Sequence, residues 1–133
     1  MCQRSNSPSR RQVTRMSELE TLVQQLISGD DQKAEQAALA LAKLGAQALP
    51  TLLALADSQD GDQRWWALRT LALIPAPQAR AALVQALRDP DIKVRQCAAL
   101  GIRYQPTFEA VPDLLEALAS QDKLLARLAA DAL

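Results

Sequence analysis

The sequence predicts an all-α fold in which antiparallel helix pairs stack into a solenoid. Three observations support this prediction: a 31-residue spacing recurs along the chain, Ala and Leu supply over a third of the residues, and apolar positions follow a helical period. Aromatic residues make up only 3% of the chain, whereas a sheet would favour aromatic and β-branched side chains. Because one short helix pair cannot enclose its own apolar stripe, we expect neighbouring pairs to stack around a continuous core.

The repeat is visible in four sets of equivalent positions. In the order given below, the first two sets lie near the starts of predicted helices, the third lies in the turns before helices, and the fourth consists of alanines. The sets are Pro50, Ala81 and Pro112; Leu52, Leu83 and Leu114; Asp60, Asp91 and Asp122; and Ala67, Ala98 and Ala129. Chance rarely keeps one spacing at several independent positions, so the spacing indicates a structural repeat.

The first predicted helix has a start signal, an apolar stripe and a stop signal. Ser17 and Glu20 form a capping box. Apolar side chains recur every three or four positions from Leu19 to Ile27, and Gly29 suits the position that follows a helix. The stretch therefore predicts one amphipathic helix.

The later helices carry start signals of two kinds. Pro50 and Pro112 suit a first helical turn, where the missing N–H has no intrahelical partner. Aspartates suit the N-cap positions of the other helices, because a carboxylate accepts hydrogen bonds from the free N–H groups there. These aspartates are Asp30, Asp60, Asp91 and Asp122. The predicted helices cover residues 17–28, 32–44, 49–57, 62–74, 78–88, 91–103, 110–119 and 122–133.

The composition divides the chain into a tail over residues 1–16 and a repeat domain over residues 17–133. The tail is rich in Ser and Arg and has no acidic residue, so we expect it to be disordered and to resemble a basic arm or a transit peptide. The repeat domain holds about four helix pairs, with 11 basic and 15 acidic side chains and a net charge of −4. Its last predicted helix, at residues 122–133, has no partner helix after it. We therefore expect an array that is incomplete at its C-terminal end and able to self-associate there.

The residue types present exclude several kinds of chemistry. The chain has no His and only two Cys, which removes the commonest general base and the usual zinc ligand sets. We therefore predict no catalytic residue, no metal and no cofactor. An apolar run of about 18 residues and a secretory signal are both missing from the sequence, so we predict no membrane contact and a cytoplasmic location. The negative repeat domain disfavours nucleic acid as a partner.

Three stretches resemble a known repeat family. They read DIKVRQCAALG at residues 91–101 and AVPDLLEAL at residues 110–118, with an earlier copy, DGDQRWWALRTL, at residues 60–71. These motifs are similar to HEAT repeats, specifically to the short HEAT-like repeats of the phycobilisome lyase type. The resemblance covers residues 18–133.

This resemblance implies a right-handed superhelix of helix pairs, with a concave face made by the second helix of each pair. It also implies a ladder of Asp and Arg side chains between successive repeats. The residues that match this ladder are Asp60, Arg64, Asp91 and Arg95.

The adjacent tryptophans are the most unusual feature of the repeats. Trp66 aligns with Cys97 and is expected inside, whereas Trp65 aligns with the polar residues Gln96 and Arg127 and is expected to be exposed. Adjacent helix positions point about 100° apart, so the two rings should not share one core contact. Trp65 is therefore an anchor at an interface, a stacking surface for a planar ligand, or a side chain packed at an edge.

Outward positions of the predicted second helices form the candidate partner-binding surface. Partners dock on the concave faces of solenoids, although a charged helix face can equally be only solvated. The candidates besides Trp65 are Gln24, Gln25, Thr51, Asp57, Gln85, Arg88, Asp113 and Glu116.

Three further features each have a functional and a structural interpretation. Tyr104 and Phe108 interrupt a repeat with a longer loop, and they either bind a partner or fill a turn. Cys97 is either a nucleophile or bilin attachment point, or a small buried side chain. Two pairs of aspartates, Asp60 with Asp62 and Asp89 with Asp91, either serve metal or acid–base chemistry, or cap a turn and bond to the ladder. In each case we favour the structural interpretation.

These observations predict a protein–protein interaction scaffold or adaptor that binds a protein partner on its concave face and has no chemistry of its own. An alternative that the resemblance implies is an accessory subunit of a phycobilin lyase, or another protein that associates with phycobilisomes. A weaker alternative is a HEAT-like nucleic-acid binder.

Overall fold

A computed structural model describes residues 18–133, and the regular elements in that range are all helices, which confirms the predicted all-α solenoid. The α-helices are α1 (residues 18–26), α2 (Asp31–Leu44), α3 (Leu49–Leu55), α4 (Gly61–Leu71), α5 (Pro77–Ala86), α6 (Ile92–Tyr104), α7 (Val111–Leu118) and α8 (Lys123–Ala132). Short 3₁₀ helices precede α3 and α7, at Gly45–Gln47 and Phe108–Ala110. The predicted tail at residues 1–16 and the predicted capping residue Ser17 lie outside the described residues.

The helices form two layers. In the first-helix layer, α2, α4, α6 and α8 each pack against the next. In the second-helix layer, α3 packs against α5, while α7 packs mainly against α8. Each helix of the second layer also packs on the helix that follows it in the chain. Because α5 and α7 pack less closely than α3 and α5, a groove remains between them.

The same turn precedes each helix of the first-helix layer. An aspartate accepts hydrogen bonds from N–H groups of the first helical turn, as predicted, at O···N distances between 2.7 and 3.3 Å. Two residues earlier, a Ser or Asp side chain accepts from the N–H of that aspartate. These bonds satisfy donors that a helix N-terminus leaves free. The capping residues are Asp30, Asp60, Asp91 and Asp122, and the preceding residues are Ser28, Ser58, Asp89 and Ser120.

The predicted core positions are fully buried. Leu52, Leu83 and Leu114 all lie in the core, and the alanine set of the same repeat is buried with them. The helices approach closely at Gly101 on α6, where an added Cβ would lie 2.7 Å from Leu83 Cδ2 and 3.0 Å from Ala72 Cβ. Small side chains at repeated positions therefore let the helices pack at short distances.

Helix ends differ from the predicted ones by up to three residues. The largest difference is at α4, which ends at Leu71 instead of residue 74. The N–H groups of Leu73 and Ile74 bond three residues back instead of four. The chain then reaches Pro75, which has no N–H to continue a helix.

Two glycines follow helices in the conformation that glycine favours. Gly29, predicted to follow the first helix, has a φ of +89°, and Gly45, which follows α2, has a φ of +59°. Side chains with a Cβ are strained at such positive φ values, so both turns require glycine.

Apolar side chains are exposed where the stack ends at α7 and α8. Leu133 is 53% exposed, although its equivalent one repeat earlier, Ile102, is 1% exposed. Leu115 and Leu118 on α7 are exposed as well. The predicted self-association through this face stays a prediction. None of the helices in the described part of the chain is both long enough and apolar enough to cross a membrane.

The contact between Leu83 and Gly101 can be tested by unfolding. We expect Leu83→Ala to lower the free energy of unfolding by about 2–5 kcal/mol, because a cavity replaces buried methyl groups. We expect Gly101→Ala to lower it by about 1–3 kcal/mol, because the overlap with Leu83 outweighs the roughly 1 kcal/mol that Ala contributes in a helix. In the double variant the new methyl group occupies the vacated space, so the combined loss should be smaller than the sum of the two single losses.

Denaturant titration of the wild type, the two single variants and the double variant measures these effects. Leu39→Ala, at an exposed position on α2, is the control and should change the free energy of unfolding by less than about 1 kcal/mol. Strict additivity of the two core substitutions would contradict the contact.

Candidate partner-binding surface

The predicted partner-binding side chains fall into two groups. Gln85, Arg88 and Asp113 come together around the groove between α5 and α7. Among the other candidates, Thr51 and Trp65 are half-buried and the rest are exposed. The candidates that do not line this groove are Gln24, Gln25, Thr51, Asp57, Trp65 and Glu116.

The α5–α7 groove is an open cleft of about 750 Å³. One wall is formed by Arg80, Ala81 and Val84 of α5, and the opposite wall includes Thr107 and Glu109 from the segment before α7. Small-molecule sites usually enclose most of their ligand. An open cleft between two helices is instead suited to a peptide segment that lies along it.

An ion pair closes one end of the α5–α7 groove. Arg88 Nε donates a hydrogen bond to Asp113 Oδ1 at 3.0 Å. The Arg88 side chain is 76% exposed, whereas the Asp113 side chain is 9% exposed. Asp113 therefore holds α7 to the end of α5 and is much less available to a partner than Arg88.

A second groove, between α3 and α5, adjoins the first. It has a volume of about 860 Å³ and is lined by Asp57 among other residues. Ala81, Gln85 and Arg88 line both grooves. The exposed side of α5 thus forms a ridge between two clefts, and the candidates Gln85 and Arg88 lie on that ridge.

The two tryptophans are both half-buried, which corrects the expectation that Trp65 is exposed and Trp66 inside. Their rings contact each other edge to face, with centroids 4.8 Å apart and planes at 80°. Adjacent helical side chains diverge at Cβ, but indole rings are long enough to meet beyond it. The carbonyl of Trp65 also accepts a hydrogen bond from Cys97 Sγ on α6 at 3.6 Å. The Trp65 side chain is partly buried against the core, and its role as an anchor stays a prediction.

The Asp and Arg ladder uses a different carboxylate from the predicted one. Arg64 forms a bidentate pair with Asp89, with Nε–Oδ2 at 2.9 Å and Nη2–Oδ1 at 3.0 Å. The hydrogen bond to Asp89 is the main cause that raises the pKa of Arg64 above its ordinary value. The predicted partners, Asp60 and Asp91, instead point at the helix N-termini that they cap. Arg95 donates to the carbonyl of Asp89 in its own turn at 2.6 Å rather than to a carboxylate of the next repeat.

Other polar contacts between repeats were not predicted. Arg69 bonds Glu35 at 2.6 Å between α4 and α2. Arg103 and Asp131 lie 3.9 Å apart between α6 and α8. The amide of Gln96 donates a hydrogen bond to the capping residue Asp122 at 3.0 Å. The pKa of Asp122 is lowered mainly by the hydrogen bond from the N–H of Leu125 and next by this bond from Gln96. These pairs join residues 26 to 34 positions apart in the chain, and no single spacing in the sequence identifies them.

The loop between α6 and α7 is held by Gln105 and not by its aromatic residues. Tyr104 and Phe108, which we expected to fill the turn, are exposed, and Phe108 is 90% exposed. The buried amide of Gln105 donates to the carbonyls of Leu71, Ala72 and Ile74 at 2.8–3.0 Å. It therefore ties the loop before α7 to the end of α4 and the turn that follows it.

Gln105 was not among the predicted residues, although the sequence carries a signal for it. The position one repeat before Gln105 is Ile74, and the position two repeats before it is Leu44. A polar residue in an otherwise apolar column, next to a loop, is typical of a side chain that caps a neighbouring element.

Cys97 is buried, and its burial raises the pKa of the thiol to about 12. This environment agrees with the favoured interpretation of a small buried side chain. Cys2 lies outside the described residues. Within residues 18–133, no group of three or more His, Cys, Asp or Glu side chains is placed to hold a metal ion.

Comparison with known proteins places the chain in a repeat family and finds solved structures with a similar fold. The chain matches the HEAT repeats family over residues 19–101. It is similar to the complex of CpcE and CpcF of phycocyanin lyase from Nostoc sp. PCC7120, with 26% identity and a TM-score of 0.75 over 88% of this chain and 76% of that one. It shares its fold with an engineered protein at 24% identity and a TM-score of 0.60, over 86% of this chain and 60% of that one. No curated protein matches the chain.

The Arg64–Asp89 pair can be tested by replacing Asp89 with serine, the residue at the equivalent position of the other turns. We expect Asp89→Ser to lower the free energy of unfolding by about 1–3 kcal/mol, because it removes a charge-assisted bidentate hydrogen bond. The serine can still accept from the N–H of Asp91, as Ser58 and Ser120 accept from their aspartates. In an Arg64→Met background the same substitution should cost much less. Equal losses of stability in both backgrounds would show that the ion pair contributes nothing.

The environment of Cys97 predicts a slow reaction with thiol reagents. With a pKa of about 12, only about one thiol in ten thousand is ionised at pH 8. In a Cys2→Ser chain, we expect a disulfide reagent to modify Cys97 far more slowly in the native protein than in denaturant. Similar rates in the two conditions would contradict the buried position.

Proposed function

The chain belongs to the HEAT repeat family, and from this premise we propose that it is a protein–protein interaction scaffold or adaptor that binds a partner on the concave face of its second-helix layer. One observation carries the proposal: the two adjoining grooves that meet at the α5 ridge of Ala81, Gln85 and Arg88. Concave surfaces of this kind are the usual docking sites of solenoid proteins.

The proposed site centres on Gln85 and Arg88 and extends along neighbouring helices. Thr51 and Asp57 flank it on the α3 side, and Glu116 flanks it on the α7 side. The similarity to a complex of two lyase subunits supports a protein as the partner. Regular helices position the exposed side chains of the ridge, which favours recognition with little loss of conformational entropy.

A bulky residue in the grooves tests the proposal. Ala81 is exposed and lines both grooves, so Ala81→Trp should block a partner from either cleft without disturbing the core. The matched control is Gln36→Trp, at an exposed position on α2 outside both grooves. We expect a photo-crosslinking side chain at position 85 to give a specific adduct with one partner protein, and the same group at position 36 to give none.

We expect Ala81→Trp to abolish the adduct from position 85 and Gln36→Trp to leave it unchanged. Circular dichroism and thermal unfolding confirm that both variants are folded. An adduct that persists in Ala81→Trp, or that forms equally from position 36, would reject the concave site.

The second candidate function is an accessory role in phycobilin attachment. The observation that favours it is the similarity to the CpcE and CpcF complex of phycocyanin lyase over 88% of this chain. The test is incubation of the full chain with a bilin and an apo-phycobiliprotein. A role of this kind predicts a shift in bilin absorption and more covalent adduct than without the chain. No shift and no additional adduct would remove this candidate.

A further inference from the structure

Two arginines of the α5–α7 groove have free hydrogen-bond donors. Among residues 18–133, the guanidinium of Arg80 makes no hydrogen bond and no ion pair within 4 Å, and its interaction with Glu109 is electrostatic only. Arg88 uses only its Nε, in the bond to Asp113, and its side chain is 76% exposed. A guanidinium carries five N–H donors in a planar fork that matches a carboxylate. The groove therefore has free donors at two points.

The acidic side chains of the same groove are already engaged. Asp113 accepts from Arg88. Glu109 accepts from the hydroxyl of Thr107, and this bond is the main cause that lowers the pKa of Glu109 below its ordinary value, with Arg80 a smaller cause. Each carboxylate of the groove thus has a donor within the fold, whereas most donors of the two guanidinium groups have no acceptor there, and such donors are complementary to carboxylates.

The spacing of the two arginines limits the ligand. Arg80 lies on α5 and Arg88 just beyond its end, and eight residues of helical rise separate their Cα atoms by about 12 Å. Ala81 and Val84 lie between them along the groove wall and offer an apolar surface. In an extended peptide, residues i, i+2 and i+4 point to the same side, and i and i+4 lie about 13 Å apart. An acidic, an aliphatic and a second acidic residue at these positions match the two arginines and the surface between them.

We propose that the α5–α7 groove binds an extended acidic segment of a partner protein, with carboxylates at i and i+4 on Arg80 and Arg88 and an aliphatic side chain at i+2 on Ala81 and Val84. This inference rests on the proposed function and specifies the chemistry of its partner. Nucleic acid fits less well, because its phosphates form a continuous run of negative charge and Glu109 and Asp113 line the opposite wall of the groove.

The probe is a displayed library of random short peptides, selected on the full chain and then measured one by one by fluorescence anisotropy. We expect the selected peptides to carry Asp or Glu at i and i+4 around an aliphatic residue. Arg80→Glu should weaken their binding by at least about tenfold, because it replaces an attraction with a repulsion. The guanidinium of Arg80 makes no hydrogen bond or ion pair within 4 Å, and Glu109, with which it interacts electrostatically, is exposed, so Arg80→Glu should leave the fold intact. Binding should also weaken as the salt concentration rises from about 50 mM to about 300 mM.

The matched control is Lys33→Glu, an exposed charge reversal of the same size on α2, which should leave the affinity within about twofold. Arg88→Gln should weaken binding without introducing a negative charge beside Asp113. Selected peptides without the acidic pattern, or equal affinity for wild type and Arg80→Glu, would overturn the inference. Displacement of the peptides by single-stranded nucleic acid at lower concentration than by free acidic peptide would overturn it in favour of a phosphate ligand.

These outcomes separate the inference from the proposed function. If Ala81→Trp abolishes the crosslinked adduct while Arg80→Glu does not weaken partner binding, the concave docking site stands and the acidic segment is rejected. If Ala81→Trp leaves the adduct intact, the docking site itself is rejected, whatever peptides the library yields.

Discussion

The burial of one apolar stripe between successive helix pairs is the constraint on which the rest of this structure depends. A short helix pair exposes too much apolar surface to be stable alone. Leu52, Leu83 and Leu114 are buried only because each pair lies against its neighbours. The small residues of the same repeat, including Gly101 on α6, set how closely those neighbours approach. The regular stack, and therefore the continuous surface of its second-helix layer, follows from this packing.

The turn that precedes each helix of the first-helix layer can also carry a polar contact between repeats. In three of the four turns, a serine side chain accepts from the N–H of the capping aspartate. In the remaining turn Asp89 makes the same bond and also receives the bidentate guanidinium of Arg64. A change from serine to aspartate thus adds an ion pair between repeats without loss of the local cap. The turn supplies the geometry, and the identity of one residue decides whether it also links two repeats.

The surface with the clearest features results from an interruption of the repeat. The connection between α6 and α7 is longer than the others, and Gln105 fixes it to the C-terminus of α4 through three carbonyl groups. With α7 positioned by this connection, α5 and α7 are bridged by the Arg88–Asp113 pair and leave an open groove beside it. Arg80 lines this groove and forms no ion pair within 4 Å among the described residues. Local deviation from the repeat has therefore produced the groove and the arrangement of charged side chains along it.

The sequence by itself determined the all-α class, the helix pairs, the four capping aspartates and the buried leucine positions. These features depend on period and on residues only a few positions apart, and both can be read along the chain. Gln85 and Arg88 could likewise be assigned to an outward face from their register. The tertiary structure alone decided that Arg64 pairs with Asp89, that Trp65 is half-buried, that Gln105 and not Phe108 anchors the loop, and that two grooves meet at α5. Each of these depends on the distance and angle between helices of different repeats, which side-chain volumes and loop lengths set together and which no local pattern contains.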